Sequence, residues 1–138
     1  MTIRGIGIDV ADLRRFERLI GRHGESFLNR WFTPRERAQC RSRSELAAFA
    51  ASRFATKEAV WKALTLSTTG PIAWRSIELL DSNGAGATTV HLSGWIGEVA
   101  RSEGVGAVSA TVTWQGHLAL AVAIVDCSRS AACRDSLA

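Results

Sequence analysis

The first residues of the chain alternate small and apolar side chains, with the two-residue period of a strand. This pattern runs through Gly5-Ile6-Gly7-Ile8 and predicts a short strand that ends near Asp9. The period changes to that of a helix over residues 11–22, and Gly24 is expected to close this helix. The apolar residues of the predicted helix share one face: Leu13, Phe16, Leu19 and Ile20.

A capping box, Thr33-Pro34-Arg35-Glu36, predicts the start of a second helix. An alanine-rich third helix is expected from near Ser44 to about Leu66. Beyond it the pattern predicts a helix over residues 93–103 and strands over residues 74–80, 88–92, 108–114 and 118–125. The resulting order, β-ααα-ββ-α-ββ, predicts an α+β domain over residues 1–126, with helices packed on an antiparallel sheet. Residues 127–138 lose all periodicity and are expected to form a disordered tail.

The composition is typical of one folded domain. Of the 138 residues, 46% are hydrophobic and two are proline, which excludes an intrinsically disordered chain. No apolar run approaches the roughly 18 residues of a membrane-spanning helix. Because the first residues lack a hydrophobic signal core, we expect a cytoplasmic protein. The three cysteines have no zinc-ligand spacing and are expected to be reduced thiols.

Positive charge is concentrated in the first half of the chain. Residues 1–62 hold 13 Lys and Arg against 7 Asp and Glu, a net charge of +6, whereas residues 63–138 hold 4 against 6, a net charge of −2. Opposite the apolar face of the first helix lies a basic face, formed by Arg14, Arg15, Arg18 and Arg22. Such a face attracts an anionic partner: a nucleic acid, a phosphorylated ligand or an acidic protein surface.

Two carboxylates each have a structural and a functional interpretation. Asp9 could cap the helix that follows the first strand. Glu58 could form an ordinary ion pair with Lys62, four residues later on the third helix. Together, the two carboxylates could instead hold a hard divalent cation such as Mg²⁺, completed by water and phosphate oxygens. Arg53, Lys57 and Lys62 would then neutralise phosphate charge, as phosphoryl-group chemistry requires.

Three segments occur in an order and spacing that extend from about residue 5 to residue 66. They are Gly7-Ile8-Asp9-Val10, then Phe32-Thr33-Pro34 with Glu36, then Arg53-Phe54-Ala55-Thr56-Lys57-Glu58-Ala59 with Lys62-Ala63-Leu64. In these segments the chain resembles the holo-acyl-carrier-protein synthase family of 4′-phosphopantetheinyl transferases. The third segment is the most specific of the three. The resemblance implies the small α+β transferase fold, assembled as a homotrimer with each site between neighbouring subunits.

The resemblance also implies a reaction. The enzyme would transfer the 4′-phosphopantetheine group of coenzyme A to a serine hydroxyl of an apo acyl carrier protein, in fatty-acid or polyketide biosynthesis. The products would be the holo-carrier and 3′,5′-adenosine bisphosphate. Asp9 and Glu58 match the magnesium-binding carboxylates of the family. Lys62 matches a lysine near the reacting phosphates, and we predict Glu58 and Lys62 as the catalytic residues, with Glu58 accepting the serine proton directly or through a metal-bound water.

The remaining site residues are assigned to the two substrates. Arg53, Lys57, Lys62 and Thr111 are expected to bind coenzyme A. The four arginines of the basic face, Arg14, Arg15, Arg18 and Arg22, lie on the helix that docks the acidic recognition helix of the carrier in this family.

Two departures from the family pattern leave alternatives open. A Gly-Thr-Gly turn usually follows the lysine helix, where this chain reads Leu64-Thr65-Leu66-Ser67-Thr68-Thr69-Gly70. A Ser-x-Ser-His element is also usual, where this chain reads Ser109-Ala110-Thr111-Val112, so valine replaces histidine. These departures motivate one alternative, a pseudoenzyme that binds the carrier or coenzyme A without transfer. The arginines motivate another, a basic nucleic-acid-binding module.

Overall fold

One antiparallel sheet organises the fold. The computed structural model describes residues 2–67, 70–82 and 88–128. The sheet has the strand order β1-β5-β4-β3-β2. Its strands are β1 (Ile3–Asp12), β2 (Ile77–Asp81), β3 (Thr88–Leu92), β4 (Val105–Gln115) and β5 (Leu118–Cys127). The predicted α+β class, element order and antiparallel sheet are therefore confirmed.

The described residues also form four α-helices: α1 (Leu13–Trp31), α2 (Pro34–Ala38), α3 (Leu46–Leu64) and α4 (Gly94–Ser102). Gly24 interrupts α1 with a φ of 51° and a ψ of −129°, so the predicted break is present. The prediction missed the helical segment that follows it, up to Trp31. Helix α2 begins with the predicted capping box, in which Thr33 and Glu36 exchange side-chain to backbone hydrogen bonds.

Several predicted boundaries are wrong. Strand β1 continues past Asp9, and Asp12 caps α1 by accepting a hydrogen bond from the Arg14 backbone at 2.9 Å. Ser44 lies inside a 3₁₀ turn over residues 43–45 and does not cap α3. A second 3₁₀ turn occupies residues 74–76, so β2 begins at Ile77. Pairing with a neighbouring strand decides where a strand ends, and that information is not local in sequence.

Helix α3 lies directly on β1 because two glycines remove the side chains between them. A Cβ atom at Gly5 would lie 2.2 Å from the Ala63 carbonyl oxygen, and one at Gly7 would lie 1.9 Å from that of Ala59. The neighbouring strand β5 also presents small side chains to the core, Ala119, Ala121 and Ala123, all fully buried. The helix therefore approaches the sheet closely, and its side chains are positioned by backbone contact.

On β1 and β5, the outer face of the sheet, opposite α3, is apolar. On β1 the side chains of Ile6, Ile8 and Val10 are 63%, 55% and 52% exposed. The β-ladder places Ile124, Val122 and Leu120 of β5 beside them. We call these six residues the outer apolar face. No part of the described chain covers the three β1 residues.

The C-terminal boundary differs from the prediction. Strand β5 includes Cys127, which donates to the Thr2 carbonyl, and Ser128 donates to that of Gly104. The predicted tail therefore does not begin at residue 127, and its remaining part, residues 129–138, lies outside the described residues. Cys40 is a free thiol, but Cys127 is disulfide-bonded, so the expectation of reduced thiols is wrong for Cys127. None of the helices in the described ranges is long and apolar enough to cross a membrane.

Candidate active site

The acidic residue of the first motif lies beside the glycine contact. Alternate residues of β1 face α3, beginning with Gly5 and Gly7, and Asp9 is the next residue on that side. Because β1 is an edge strand, one of its sides is free of strand neighbours. Asp9 is thus held between the sheet edge and α3, with its side chain 18% exposed.

Lys62 of α3 joins Asp9 across this contact. Its ammonium donates to Asp9 Oδ1 at 2.8 Å and to the backbone carbonyl of Ile8 at 2.9 Å. The ion pair is therefore between helix and strand, and the predicted alternative of an ordinary Glu58–Lys62 pair within α3 is not what the structure contains. The Lys62 side chain is 49% exposed, so its ammonium lies at the open edge of the site.

Glu58 is the second carboxylate of the site. Partial burial raises its pKa above the ordinary value, and the neighbouring charge of Asp9 raises it further, while Lys62 and Arg15 oppose the shift. Among the described residues, no hydrogen bond or ion pair reaches its carboxylate. A carboxylate that is partly desolvated, unpaired and next to a second carboxylate is a group that a cation would stabilise.

The structure therefore brings Asp9, Glu58 and Lys62 together. Two carboxylates offer oxygen ligands of the type that Mg²⁺ prefers, but they are too few to enclose it. No group of three or more His, Cys, Asp or Glu side chains suited to a metal occurs within residues 2–67, 70–82 and 88–128. A cation at Asp9 and Glu58 would thus keep open positions for water and for a ligand carrying phosphate.

An aromatic groove lies next to Glu58. The Arg15 guanidinium carbon lies 5.6 Å from the centre of the Phe54 ring, one helical turn before Glu58 on α3. Both residues line a groove of about 510 Å³ that extends along α1 to Trp31. The groove combines apolar walls with the charged group of Arg15, close enough to Glu58 to act on its pKa.

The structure does not bring Lys57 to this site. Its side chain is fully buried, and its ammonium donates to the carbonyls of Trp31 and Trp74 and to Glu36 Oε2, at 2.8–2.9 Å. Burial lowers the pKa of Lys57 to about 8, although the Glu36 charge opposes the shift. All three of its donors are used inside the protein, where Lys57 links α1, α2 and α3. Within one chain Lys57 is therefore separate from Asp9 and Glu58, and its assignment to coenzyme binding stays a prediction.

Arg53 lies on the same side of α3 as Lys57. It donates to Asp81 Oδ2 at 2.8 Å and to Gln39 Oε1 at 3.2 Å, and its guanidinium carbon lies 5.2 Å from the centre of the Phe49 ring. The residue is 6% exposed. Within one chain, Arg53 is therefore separate from Asp9 and Glu58, and its assignment to the coenzyme stays a prediction.

The two residues of interest on β4 face opposite sides of the sheet. Val112 and Asp9 both pair with Ala121 of β5, so they share the helix-facing side about 10 Å apart. Val112 packs against the hydrophobic core. Thr111 is exposed on the outer side, where it pairs with Val122. The structure does not bring Thr111 to Asp9 within one chain, and its predicted role requires a neighbouring subunit.

All four arginines of the basic face are exposed. Arg14 is held by Asp12, through hydrogen bonds of 2.8 and 3.1 Å, and its Nη2 lies 2.7 Å from His117 Nε2. The Arg14 contact lowers the pKa of Asp12 to about 2. Among the described residues, Arg18 and Arg22 make no such contact. A basic surface beside the acidic site is therefore present, with two of its side chains free to bind a partner.

Sequence reasoning missed a pair that holds the end of α3. Arg4 donates to the carbonyls of Leu64 and Thr65 and pairs with Glu103, which accepts from the Ser67 backbone. Thr65 has a φ of +46°, in the region that favours glycine. The absence of the usual glycine turn after α3 could have indicated backbone strain at this position. No sequence pattern, however, predicts that Arg4 pairs with a residue 99 positions away.

Comparisons with known proteins identify the family of this chain. A family model described as the 4′-phosphopantetheinyl transferase superfamily matches residues 5–123. The holo-[acyl-carrier-protein] synthase of Anaeromyxobacter dehalogenans (strain 2CP-C) is 38% identical over 127 residues, which cover 90% of this chain and 96% of that protein. The synthase of Geotalea daltonii is 32% identical over 124 residues, covering 90% of this chain and 98% of that protein.

A solved structure extends the comparison to the fold. The holo-[acyl-carrier-protein] synthase of Helicobacter pylori, in complex with coenzyme A, superposes with a TM-score of 0.72 at 28% identity. The match covers 88% of this chain and 99% of that one. The similarity thus spans nearly the whole length of these proteins and includes both sequence and fold. The family prediction is confirmed: the chain belongs to the 4′-phosphopantetheinyl transferase superfamily.

Proposed function

We propose that this protein is a holo-acyl-carrier-protein synthase. It transfers the 4′-phosphopantetheine group of coenzyme A to a serine hydroxyl of an apo acyl carrier protein and releases 3′,5′-adenosine bisphosphate. The observation that carries the proposal is the convergence of Asp9, Glu58 and Lys62, supported by relatives and a coenzyme-bound structure of the same family. A cytoplasmic location and a role in fatty-acid or polyketide synthesis are part of the proposal and rest on the resemblance.

The chemistry is a displacement at phosphorus. The serine oxygen forms a bond to the pantetheine-bearing phosphorus, and the bond from that phosphorus to the bridging diphosphate oxygen breaks. Glu58 accepts the serine proton as the general base. Lys62 donates to the leaving phosphate oxygen as negative charge develops there. The Lys62 side chain is 49% exposed, so a phosphate can reach its ammonium.

We propose Mg²⁺ as the metal cofactor, held by Asp9 and Glu58. The fit rests on the unpaired carboxylate of Glu58 and its electrostatic coupling to Asp9. When bound, the ion would supply positive charge to the diphosphate oxygens. The chain itself orients the carboxylates, because Gly7 packs directly against Ala59 and fixes the distance between β1 and α3.

We further propose that the carrier docks on α1 through Arg14, Arg15, Arg18 and Arg22. The arrangement supports this because the arginines are exposed and Arg15 extends to the edge of Glu58. An acidic helix on α1 would bring its serine toward the two carboxylates. Arg14 contributes as a fixed charge, since Asp12 and His117 already hold it.

The proposed assembly is a homotrimer. The outer apolar face would be unfavourable in water on a free monomer, since contiguous exposed apolar patches mark interaction surfaces. Thr111 borders this face, so burial between subunits would bring it to a neighbouring site. This would reconcile its predicted role in coenzyme binding with its distance from Asp9 in its own chain.

The direct test is a transfer assay. The protein is mixed with Mg²⁺, coenzyme A and a panel of apo carriers, and the phosphopantetheine adduct is measured by mass spectrometry. We expect an adduct on at least one carrier, and its loss in the Asp9→Ala and Glu58→Ala variants with an unchanged circular dichroism spectrum. Tight binding of coenzyme A without any adduct would favour the pseudoenzyme, for which the core-packed Val112 is the specific observation.

A further inference from the structure

Lys62 has two different partners in the structure and in the proposed reaction. In the structure its ammonium binds Asp9 Oδ1 and the Ile8 carbonyl. In the proposed reaction it binds phosphate, and Asp9 binds a divalent cation. The ammonium and a divalent cation carry like charges, so the two compete for the Asp9 carboxylate.

We infer that Lys62 is a built-in counter-ion of Asp9, which competes with the divalent cation and is released to the phosphates when the cation binds. This inference rests on the proposed function. It assigns Lys62 a role in metal binding, additional to its predicted role beside the reacting phosphates. The juxtaposition that carries it is the direct contact of the ammonium with the carboxylate assigned to the metal.

The geometry favours competition over joint occupancy. The ammonium is 2.8 Å from Asp9 Oδ1, which is a distance at which a cation on the same carboxylate would repel it strongly. Glu58 lies one turn earlier on α3 but leaves its carboxylate unpaired, and its pKa is raised. Asp9 is therefore paired directly with the ammonium, whereas Glu58 receives only the longer-range charge effects of Lys62 and Arg15. A divalent cation would satisfy both carboxylates, whereas Lys62 satisfies one.

The same geometry permits release. The Lys62 side chain is 49% exposed and its stem is flexible, so the ammonium can leave Asp9 without unfolding α3. Once it leaves, a ligand phosphate is a suitable new partner. The cation and the diphosphate should then each raise the affinity of the protein for the other, beyond the effect of their direct contact. The cation displaces Lys62 from Asp9 and so frees it for phosphate, and the phosphate keeps Lys62 away from the carboxylate that binds the cation.

The test measures metal binding, without turnover. Binding of Mn²⁺, used as a probe for Mg²⁺, is measured by calorimetry and by electron paramagnetic resonance in the wild-type protein and the Lys62→Met variant. Removing the competitor should tighten Mn²⁺ binding at least about threefold without coenzyme A. The gain in Mn²⁺ affinity on adding coenzyme A should be smaller in Lys62→Met than in the wild-type protein.

Two control variants isolate the effect. Asp9→Asn should abolish Mn²⁺ binding and so locate the ion. Arg15→Met removes a positive charge that acts on Glu58 without touching Asp9. Because long-range charge effects are screened in 0.3 M KCl, this variant should change the Mn²⁺ affinity less than twofold there. Circular dichroism verifies that each variant is folded, and Lys62→Gln serves as a second neutral variant.

The outcomes separate the inference from the proposed function. Equal or weaker Mn²⁺ binding in Lys62→Met, with binding still dependent on Asp9, overturns the competition and leaves the transferase proposal standing. An equal gain in Arg15→Met also overturns it, because any lost positive charge would then suffice. If neither the wild-type protein nor any variant binds Mn²⁺, with or without coenzyme A, the proposed metal site is overturned together with this inference.

Discussion

Gly7 of β1 lies against the backbone carbonyl of Ala59 on α3, so closely that a Cβ atom would be 1.9 Å from the oxygen. The contact sets the distance between the strand that carries Asp9 and the helix that carries Glu58 and Lys62. A methyl group at Gly7 must push the helix from the sheet. We therefore expect Gly7→Ala to lower the free energy of unfolding by about 1–3 kcal/mol or more.

Gly21→Ala is the matched control for this substitution. No atom lies within 4 Å of a Cβ at Gly21, which is exposed on α1. Because alanine is the better helix former, this variant should be unchanged or more stable by up to about 1 kcal/mol. Urea unfolding measures both. Equal stability of the two variants would show that the close contact does not set the packing distance.

Because its pKa is raised, Glu58 is expected to lower the stability of the folded protein at neutral pH while it serves the proposed reaction. A carboxyl group whose folded pKa exceeds its unfolded value binds more protons when folded, so its contribution to stability falls as the pH rises through that interval. In a metal-free buffer at pH 7, Glu58→Gln should therefore be more stable than the wild-type protein, by less than about 1 kcal/mol because the group is partly exposed.

Below the unfolded pKa of Glu58 this advantage should vanish. Thermal unfolding from pH 4 to pH 8 in EDTA measures the difference, and the transfer assay should show loss of activity in the same variant. Glu98→Gln, which changes an exposed carboxylate of α4 outside the site, controls for the general effect of charge. A difference in stability independent of pH would contradict the proposed environment of Glu58.

The buried Lys57–Glu36 pair predicts a structural role for Lys57. Both side chains are fully buried, and Glu36 also accepts from the backbones of Thr33 and Leu79. Lys57→Met leaves the Glu36 carboxylate buried without its cation, which should lower the free energy of unfolding by about 3–5 kcal/mol. Adding Glu36→Gln should restore part of the loss, since the amide oxygen can still accept a hydrogen bond.

The affinity for coenzyme A distinguishes a structural role of Lys57 from its predicted role in coenzyme binding. Where the double variant is folded, its dissociation constant for coenzyme A, measured by calorimetry, should stay within about twofold of the wild-type value. Unchanged stability with greatly weakened coenzyme binding would instead return Lys57 to the site.

The exposed arginines of α1 predict an electrostatic docking surface. Arg18→Glu should lower kcat/KM for an acidic carrier at least tenfold, mainly through KM, and the loss should shrink as salt is raised. Arg101→Glu, an identical charge change at an exposed position of α4, is the control. Steady-state kinetics at two salt concentrations decide between a local surface and an effect of total charge.

The outer apolar face predicts association. Sedimentation should give roughly three times the 14.9 kDa mass of the chain. Ile8→Glu places a charge in the middle of the face, so it should give a monomer with weakened coenzyme binding. Ala38→Glu, at an exposed position of α2, should leave the mass unchanged. An active monomeric wild-type protein would contradict both the trimer and the proposed role of Thr111 in a neighbouring site.

Local sequence determined much of this protein. The capping box began α2 where predicted, because its hydrogen bonds join residues three positions apart. The Gly24 break and the exposed basic face also followed from helical period and backbone conformation. The motif containing Glu58 and Lys62 predicted the family, because residue types at fixed spacing on one helix can be recognised from the local sequence alone.

Tertiary structure decided the partners of the charged groups. Lys57 and Lys62 are five residues apart on α3, yet one is buried against Glu36 and the other is half-exposed against Asp9. Their sequence context did not distinguish them, since burial depends on which elements cover each side of the helix. Asp9 likewise does not cap α1, because β1 continues to Asp12 and Asp12 forms the cap. Asp9 is instead paired with Lys62. Electrostatic partners are chosen by distance in space, and only packing fixes that distance.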